Sequence, residues 1–461
     1  MTTDTKKCGN DLNVPDLENK ERVIVIGGGF GGLTTIKHLN KKKFQIVMID
    51  QHNYHTFQPL LYQVATGALE ADSIAYPLRK YVKSFGDLHF RMGKVKEIDT
   101  DKNLLITSMG KINFDYLIIA TGSKTNYFGN KEMQENAMAM KTVPHALDLR
   151  SLILQNLELA ILETDPVKRD ALLHFVIVGG GPTGVELAGA IGDLKKYVFR
   201  EEYHDLNIDN LQITLVEGSD RLLHVMSEKS SSNTHKFLKS LGINIFINSI
   251  ISHYDGEKVI IGEDKIINTK NVIWTAGVKG NHPEGLNEDF FVPGNRIKVN
   301  EYCQLTEHPN IYAIGDIAAM ITDDFPRGHP MVAPTAIQMG AFAAKMLNHY
   351  RNTDKKPSAF KYKNKGSMAT IGRNKAVAEL GSLRFKGFFA WLAWLFVHLM
   401  SIVGFRNRMI VFINWSLSYL TFNSALRLII RPFSKEEDEI RLHPKSKEKP
   451  QPPDLKSQDK N

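Results

Sequence analysis

One pattern occurs twice along the chain. Residues 23–39, VIVIGGGFGGLTTIKHL, run from β-branched apolar residues into glycines and then into apolar positions at helical spacing. The order predicts strand, tight turn and helix. Residues 175–189, FVIVGGGPTGVELAG, repeat it. Each window is followed by another short apolar run ending in an acid, FQIVMID at Asp50 and QITLVEG at Glu217. A different pattern appears near the end, where residues 388–405, FFAWLAWLFVHLMSIVGF, have only His398 and Ser401 as polar positions. The next run, MIVFINWSLSYLTFNSALRLII, mixes apolar residues with Asn414, Ser416, Ser418, Thr421 and Asn423.

The glycine spacing has a mechanical meaning. Gly27, Gly29 and Gly32, with Phe30 inside the loop, match G-x-G-x-x-G, as do Gly179, Gly181 and Gly184. The first glycine makes the tight turn, the second lets backbone approach a pyrophosphate, and the third lets helix and strand pack closely. Helix N-terminal N–H groups then face the phosphates. Asp50 and Glu217, at the ends of the next strands, are candidates to accept hydrogen bonds from ribose hydroxyls, and both would repel a 2′-phosphate, so NADH is expected over NADPH. Arg221 lies close enough to Glu217 to weaken that preference. FDYLIIATGSKTNYFG, with Thr121 and Gly122, and VIWTAGVKG, with Gly277, read as return strands of the two units. NIYAIGDIAAM places Gly315 and Asp316 at a strand end, like the second FAD fingerprint of flavoproteins with two dinucleotide domains; a solvated turn Asp is the plain alternative.

These segments predict an α/β fold with two Rossmann-like dinucleotide-binding domains of the FAD/NAD-linked reductase type, plus a C-terminal membrane-associated helical region. The expected order is a flexible leader over 1–20, an FAD domain over 21–141 and 305–350, and an NADH domain over 142–304. A quinone- and membrane-anchoring region follows over 351–432, and a disordered charged tail over 433–461. With 461 residues the chain exceeds a single core. Its net charge of +8 comes from scattered basic residues without interleaved aromatics, which argues against a nucleic-acid groove. Two cysteines, Cys8 and Cys303, exclude a redox pair beside the flavin and hence disulfide reductase chemistry. His52, His55 and His398 lack partners at ligand spacing, so no metal site is expected.

HNYHTFQPLLYQVATGALEADSIAYPLR, SMATIGRNKAVAEL and WLAWLFVHLMSIVGFRNR resemble the type II NADH dehydrogenases, single-subunit NADH:quinone oxidoreductases, and the likeness runs from about Arg22 to Pro432. It implies a non-pumping respiratory enzyme with non-covalent FAD that oxidises NADH and reduces a membrane quinone, menaquinone or ubiquinone. It implies a place on the cytoplasmic face of the cell membrane. Residue by residue, VAPTAIQMG matches the family's quinone-side motif at Ala333, Ala336 and Gln338, but Pro334 stands where a glutamine is often found and cannot donate. Glu186 matches an acid near nicotinamide and flavin; a helix-N-terminal carboxylate is the structural alternative. Lys375 matches a lysine at the quinone end of the flavin, with a surface lysine as the alternative. Gln338, Lys375 and the HTFQPLLY loop are expected to frame the flavin side opposite NADH.

The apolar stretch then has a purpose, since quinones dissolve in lipid. Trp391 and Trp394 suit the headgroup boundary, and Arg406 and Arg408 suit lipid phosphates. Eighteen residues are short for a span and His398 is costly in hydrocarbon, so two interfacial helices are favoured over a single span of 388–405. A buried homodimer helix is the soluble alternative. Two other functions stay open: reduction of a soluble protein carrier, and redox sensing with the C-terminal helix as a docking element.

Overall fold

The structure, a computed structural model, describes residues 10–17, 19–86, 88–349, 358–421, 427–430 and 432–433. The first glycine window forms β1 (Glu21–Ile26) and α1 (Phe30–His38), and the run to Asp50 forms β2 (Phe44–Asp50). A short helix, α2 (Leu61–Ala65), and the strands β3 (Leu88–Met92) and β4 (Tyr116–Ile119) follow. The parallel sheet runs Ile311–Ala313, β4, β1, β2, β3. Parallel sheets are covered on both faces, and β1 and β2 are buried along almost their whole length.

The second unit repeats this plan. β5 (Met138–Ala139), β6 (His174–Val178), α3 (Pro182–Leu194), β7 (Gln212–Val216), β8 (Asn244–Phe246) and β9 (Asn271–Trp274) give a parallel sheet in the order β5, β9, β6, β7, β8. In each unit a three-stranded antiparallel meander, 95–113 or 251–268, precedes the return strand. The charged stretch after α3 continues as a π-turn over Lys195–Phe199.

The domain boundaries move from those expected. β5 already pairs with β9, so the chain enters the second unit before residue 142. Arg296–Val299 pairs with Ala318–Met320 and Ile297, Val299 and Cys303 sit in the first core, so the chain is back before residue 305. The leader is also corrected. Leu12 and Val14 are buried in the first core, Arg91 binds the Leu12 and Asn13 carbonyls, and Asp16 pairs with Arg22. Two apolar residues in a polar segment suffice to strap residues 10–17 onto the sheet. Residues 1–9, and the tail beyond 433, lie outside the described residues.

After α4 (Ala333–His349), whose Gly340 packs on the Gly31 carbonyl of α1, the C-terminal region adds a three-stranded hairpin sheet over 367–386. Then come α5 (Phe388–Ser401) and α6 (Phe405–Thr421). No helix among the described residues is long and apolar enough to cross a membrane. The 14 residues of α5 reach about 21 Å, short of the ~30 Å hydrocarbon core that a single span over 388–405 would have to cross. The hairpin is clasped to the second unit: Gly189 abuts Gly372, Arg373 N–H donates to Asp193, and Glu379 accepts from Ser227 and Ser230. Leu12→Ala should lower unfolding stability by about 2 kcal/mol or more through lost burial and a residual cavity, read as a fall in the thermal midpoint. An unchanged midpoint would return residues 10–17 to the status of a loose leader.

Candidate functional site

Local geometry in both glycine loops follows from the absence of side chains. Gly27 has φ +103°, and a Cβ there would lie 2.3 Å from the Ala120 carbonyl; Gly179 has φ +110° and abuts Thr275 and Ala276. At Gly32 and Gly184 a Cβ would fall 1.9 Å from the carbonyls of Gly27 and Gly179. Gly29 and Gly181 instead face open space, with nothing within 4 Å of an added Cβ. That is the cradle a pyrophosphate needs at a helix N-terminus.

The acids are tied to these loops. Asp50 accepts the Gly28 N–H at 2.6 Å and the His52 N–H at 2.7 Å, and burial raises its pKa against those bonds. Glu217 accepts the Gly180 N–H at 2.5 Å and both donors of Ser219. Burial pushes Glu217 up, but these hydrogen bonds outweigh it and hold the carboxyl below its usual range. Arg221 is turned to Glu228 and the His224 carbonyl.

The first cleft closes around residues distant in sequence. Thr121 and Gly122, with φ +68°, follow β4; Gly315, with φ +72°, sits against Ala336, and Asp316 accepts from Ser123 Oγ at 2.6 Å. Phe30 packs edge-on to His55 and Phe57. His55 Nδ1–H donates to the Gly28 carbonyl at 2.9 Å. Three buried polar atoms here lack partners: His55 Nε2, Thr121 Oγ1 and Thr335 Oγ1. Unmatched donors and acceptors in a dry cleft are costly, and with the open face at Gly29 they fit a bound FAD.

Between the two units lies a cavity lined by Gln58, Tyr62, Lys141, Thr183, Glu186 and Gly277. Gly277 packs beneath the Phe128 ring, where a Cβ would come within 2.8 Å. Glu186 lies one turn into α3, and burial pushes its pKa up to about 8; the Thr370 N–H, at 3.5 Å, and the Trp394 indole offset only part of this. The indole N–H faces Glu186 without closing a regular hydrogen bond. Lys141, lowered by burial and raised by the Asp316 charge, reaches Gln58 Oε1 at 3.3 Å. Tyr62 is buried, beside Trp394, which stacks on His398 at 4.0 Å. Burial also lowers the His398 pKa to about 4, leaving a neutral ring whose Nδ1–H donates to the Trp394 carbonyl.

Two expected residues do not join this cavity. Lys375 Nζ donates to Ser240 Oγ at 2.7 Å, at the C-terminal end of helix Glu228–Lys239, where partial negative charge favours a cation. Gln338 exchanges two hydrogen bonds with the Lys363 backbone, at 3.0 and 2.9 Å, so its amide latches α4 to the strand leading into the hairpin. Pro334 sits in the first turn of α4, where a missing N–H costs the helix nothing. Gln58 and Tyr62 of the HTFQPLLY loop line the same cavity as Thr183 and Gly277. Lys141 went unnoticed in the sequence, since MAMKTV has no motif to flag it.

Glu186 ties stability to pH. Its folded pKa of about 8 exceeds the unfolded value, so the unfolded state binds fewer protons in between and stability falls as pH rises from about 4.5 to 8. Glu186→Gln, neutral at every pH, should gain on the wild type through that window; thermal midpoints at pH 5 and pH 8 measure it. A constant difference would mean the carboxyl is ionised and compensated.

Residues 21–340 match the family model described as pyridine nucleotide-disulphide oxidoreductase, and residues 364–422 match the NDH2 C-terminal domain. The type II NADH:quinone oxidoreductase NdhA of Mycobacterium tuberculosis is 34% identical over 87% of both chains. The internal alternative NAD(P)H-ubiquinone oxidoreductase A1 of Arabidopsis thaliana mitochondria is 29% identical over 87% of this chain and 84% of its own. Among solved structures, NDH2 from Plasmodium falciparum in complex with NADH superposes with a TM-score of 0.81 at 23% identity, over 89% of this chain and 100% of that one. The sulfide:quinone oxidoreductase of Aquifex aeolicus gives 0.66 at 22% identity, over 87% and 95% of the two chains. With both glycine loops, both acids and the C-terminal helices in place, the chain belongs to the type II NADH:quinone oxidoreductases.

Proposed function

We propose that the chain oxidises NADH and reduces a lipid-soluble quinone, without pumping protons, while its two C-terminal helices rest on a membrane surface. Family membership sets the reaction, and the observation that carries the membrane part is the outer face of α5 and α6. Phe389, Phe396 and Phe405 are 75%, 66% and 78% exposed, and Leu392, Met400, Met409, Phe412 and Leu420 extend the same apolar surface. Exposed apolar area of this extent marks an interaction surface.

FAD supplies the two-electron relay between NADH and quinone. The chain's own residues position and protonate. Gly29 and Gly181 give phosphates access to backbone N–H groups, and Asp50 and Glu217 keep carboxylate oxygens at the loops for ribose hydroxyls. Arg221 is engaged elsewhere, so the Glu217 carboxylate is left to repel a 2′-phosphate, which favours NADH. Glu186, pushed by burial to a pKa of about 8, holds a proton at neutral pH, and reducing a quinone to quinol consumes protons.

Attachment to the cytoplasmic face is the placement that gives NADH access from water and quinone access from lipid. A homodimer through the same helices is the competing use of that surface. Anaerobic NADH should bleach the flavin absorbance of the purified protein, and a pulse of short-chain quinone should restore it; bleaching that no quinone reverses would defeat the proposed reaction. Phe396→Glu with Phe412→Glu should weaken binding to phosphatidylcholine/phosphatidylglycerol vesicles more than tenfold, since each phenyl contributes about 1.5–3 kcal/mol when buried. Turnover of a water-soluble quinone should stay unchanged. Retained vesicle binding, or wild-type dimers that the variant loses, would turn the surface over to self-association.

A further inference from the structure

A hydrogen-bond chain leads from α6 into the cavity, and its direction is fixed by chemistry. Trp415 Nε1–H meets the Gln63 side chain at 2.7 Å, and Gln63 meets the Tyr62 hydroxyl at 2.9 Å. An indole N–H only donates, so the Gln63 carbonyl must face Trp415 and its NH2 must face Tyr62. The phenol oxygen is therefore the acceptor, and its own proton remains to be given. Among the described residues no protein oxygen takes it. Tyr62 is 5% exposed and lines the cavity with Glu186, Thr183 and Gly277. Burial and the Glu186 charge raise its pKa well above the ordinary value, so the phenol keeps its proton at physiological pH.

We infer that Tyr62 is a ligand-binding hydrogen-bond donor for a ring-borne carbonyl in this cavity, and that Gln63 and Trp415 are positioning residues that aim it. This rests on the proposed reaction, in which two partners carry such a group: the carboxamide of the nicotinamide and the quinone itself. The chain also joins the site to the helix whose other face carries exposed Phe412 and Leu420. Seating of α6 is thereby felt at the cavity through one amide. Asn407, which donates to the carbonyls of Asp72, Ser73 and Ala75 at 3.0 Å each, and Asn414, which donates to Glu70 at 2.6 Å, hold α6 in that seat.

The test uses the flavin-loaded full chain and three variants: Tyr62→Phe, Gln63→Met and Trp415→Phe. Two constants are measured, the Kd for NAD+ by calorimetry, which needs no turnover, and the KM for a short-chain quinone at saturating NADH. Loss of one hydrogen bond predicts that Tyr62→Phe raises one constant about five- to tenfold and leaves the other within twofold. Gln63→Met and Trp415→Phe should raise the same constant by a smaller factor at unchanged flavin content. A rise in Kd assigns the donor to the carboxamide, and a rise in KM assigns it to the quinone. If Tyr62→Phe moves neither constant, the donor role is overturned; if the other two variants do not follow Tyr62→Phe, the aiming chain is overturned. A wild type whose reduced flavin no quinone reoxidises would sink the proposed reaction but leave the NAD+ arm readable.

Discussion

The indole of Trp394, 1% exposed, is the contact on which the rest of the site depends. It packs against Tyr62 from the first unit, Trp415 from α6 and the ring of His398, and it faces Glu186 from the second unit. A large aromatic with one polar edge suits this position, because it fills volume while its N–H tempers a buried carboxyl. Burial of Glu186 by this packing raises its pKa. Without that plug, Glu186 would be an ordinary hydrated carboxylate, and the C-terminal helices would lose their inner anchor.

Much of the architecture was legible because its determinants are local. Spacing among Gly27, Gly29 and Gly32 dictates a turn whatever surrounds it, and the acids at Asp50 and Glu217 fall where strand length places them. Asp316 and Gly277 likewise fall at the strand ends that the sequence marks. What stayed hidden was set by side-chain direction and by packing between distant segments. Lys375 and Gln338 have residue types suited to flavin or quinone, yet one caps a helix C-terminus and the other latches a strand. Lys141 reaches the cavity because two sheets and a helix meet there, which no short window reveals. Leu12 and Val14 were too few to betray a buried strap.

The duplicated domains are less independent than their sequence order suggests. Residues 57–74 belong by chain order to the first unit, but Phe57, Leu60, Tyr62 and Ile74 share a core with the second unit and the C-terminal helices. Ser123–Thr125 pairs antiparallel with Val278–Gly280 across the gap. The hairpin clasps the second unit as well, its Arg373 N–H holding Asp193 of α3, which burial raises to about 6, and its Glu379 accepting from Ser227 and Ser230. The shared core and the strand pairing make a hinge between the units expensive. The cavity is preorganised, as electron transfer between closely spaced partners requires.

The C-terminal helices show why a nearly unbroken apolar run need not be a span. In α5, Ala390 and Trp394 enter the core while Phe389, Leu392 and Phe396 point away, so the run is apolar on both sides for two different reasons. It then has to turn back. Gly404, at φ +89°, makes that turn against the Tyr76 ring, where a Cβ would fall 2.4 Å from a ring carbon. The turn fixes the lengths of α5 and α6 and binds their inner faces to protein. Asn407 reinforces this by taking three carbonyls at the end of the Ala71–Ile74 helix, bonds that a helix pulled into hydrocarbon would forfeit. The apolar face of Phe389, Leu392 and Phe396 is therefore left outward while the Asn407 anchor fixes the opposite side of the helix pair to protein.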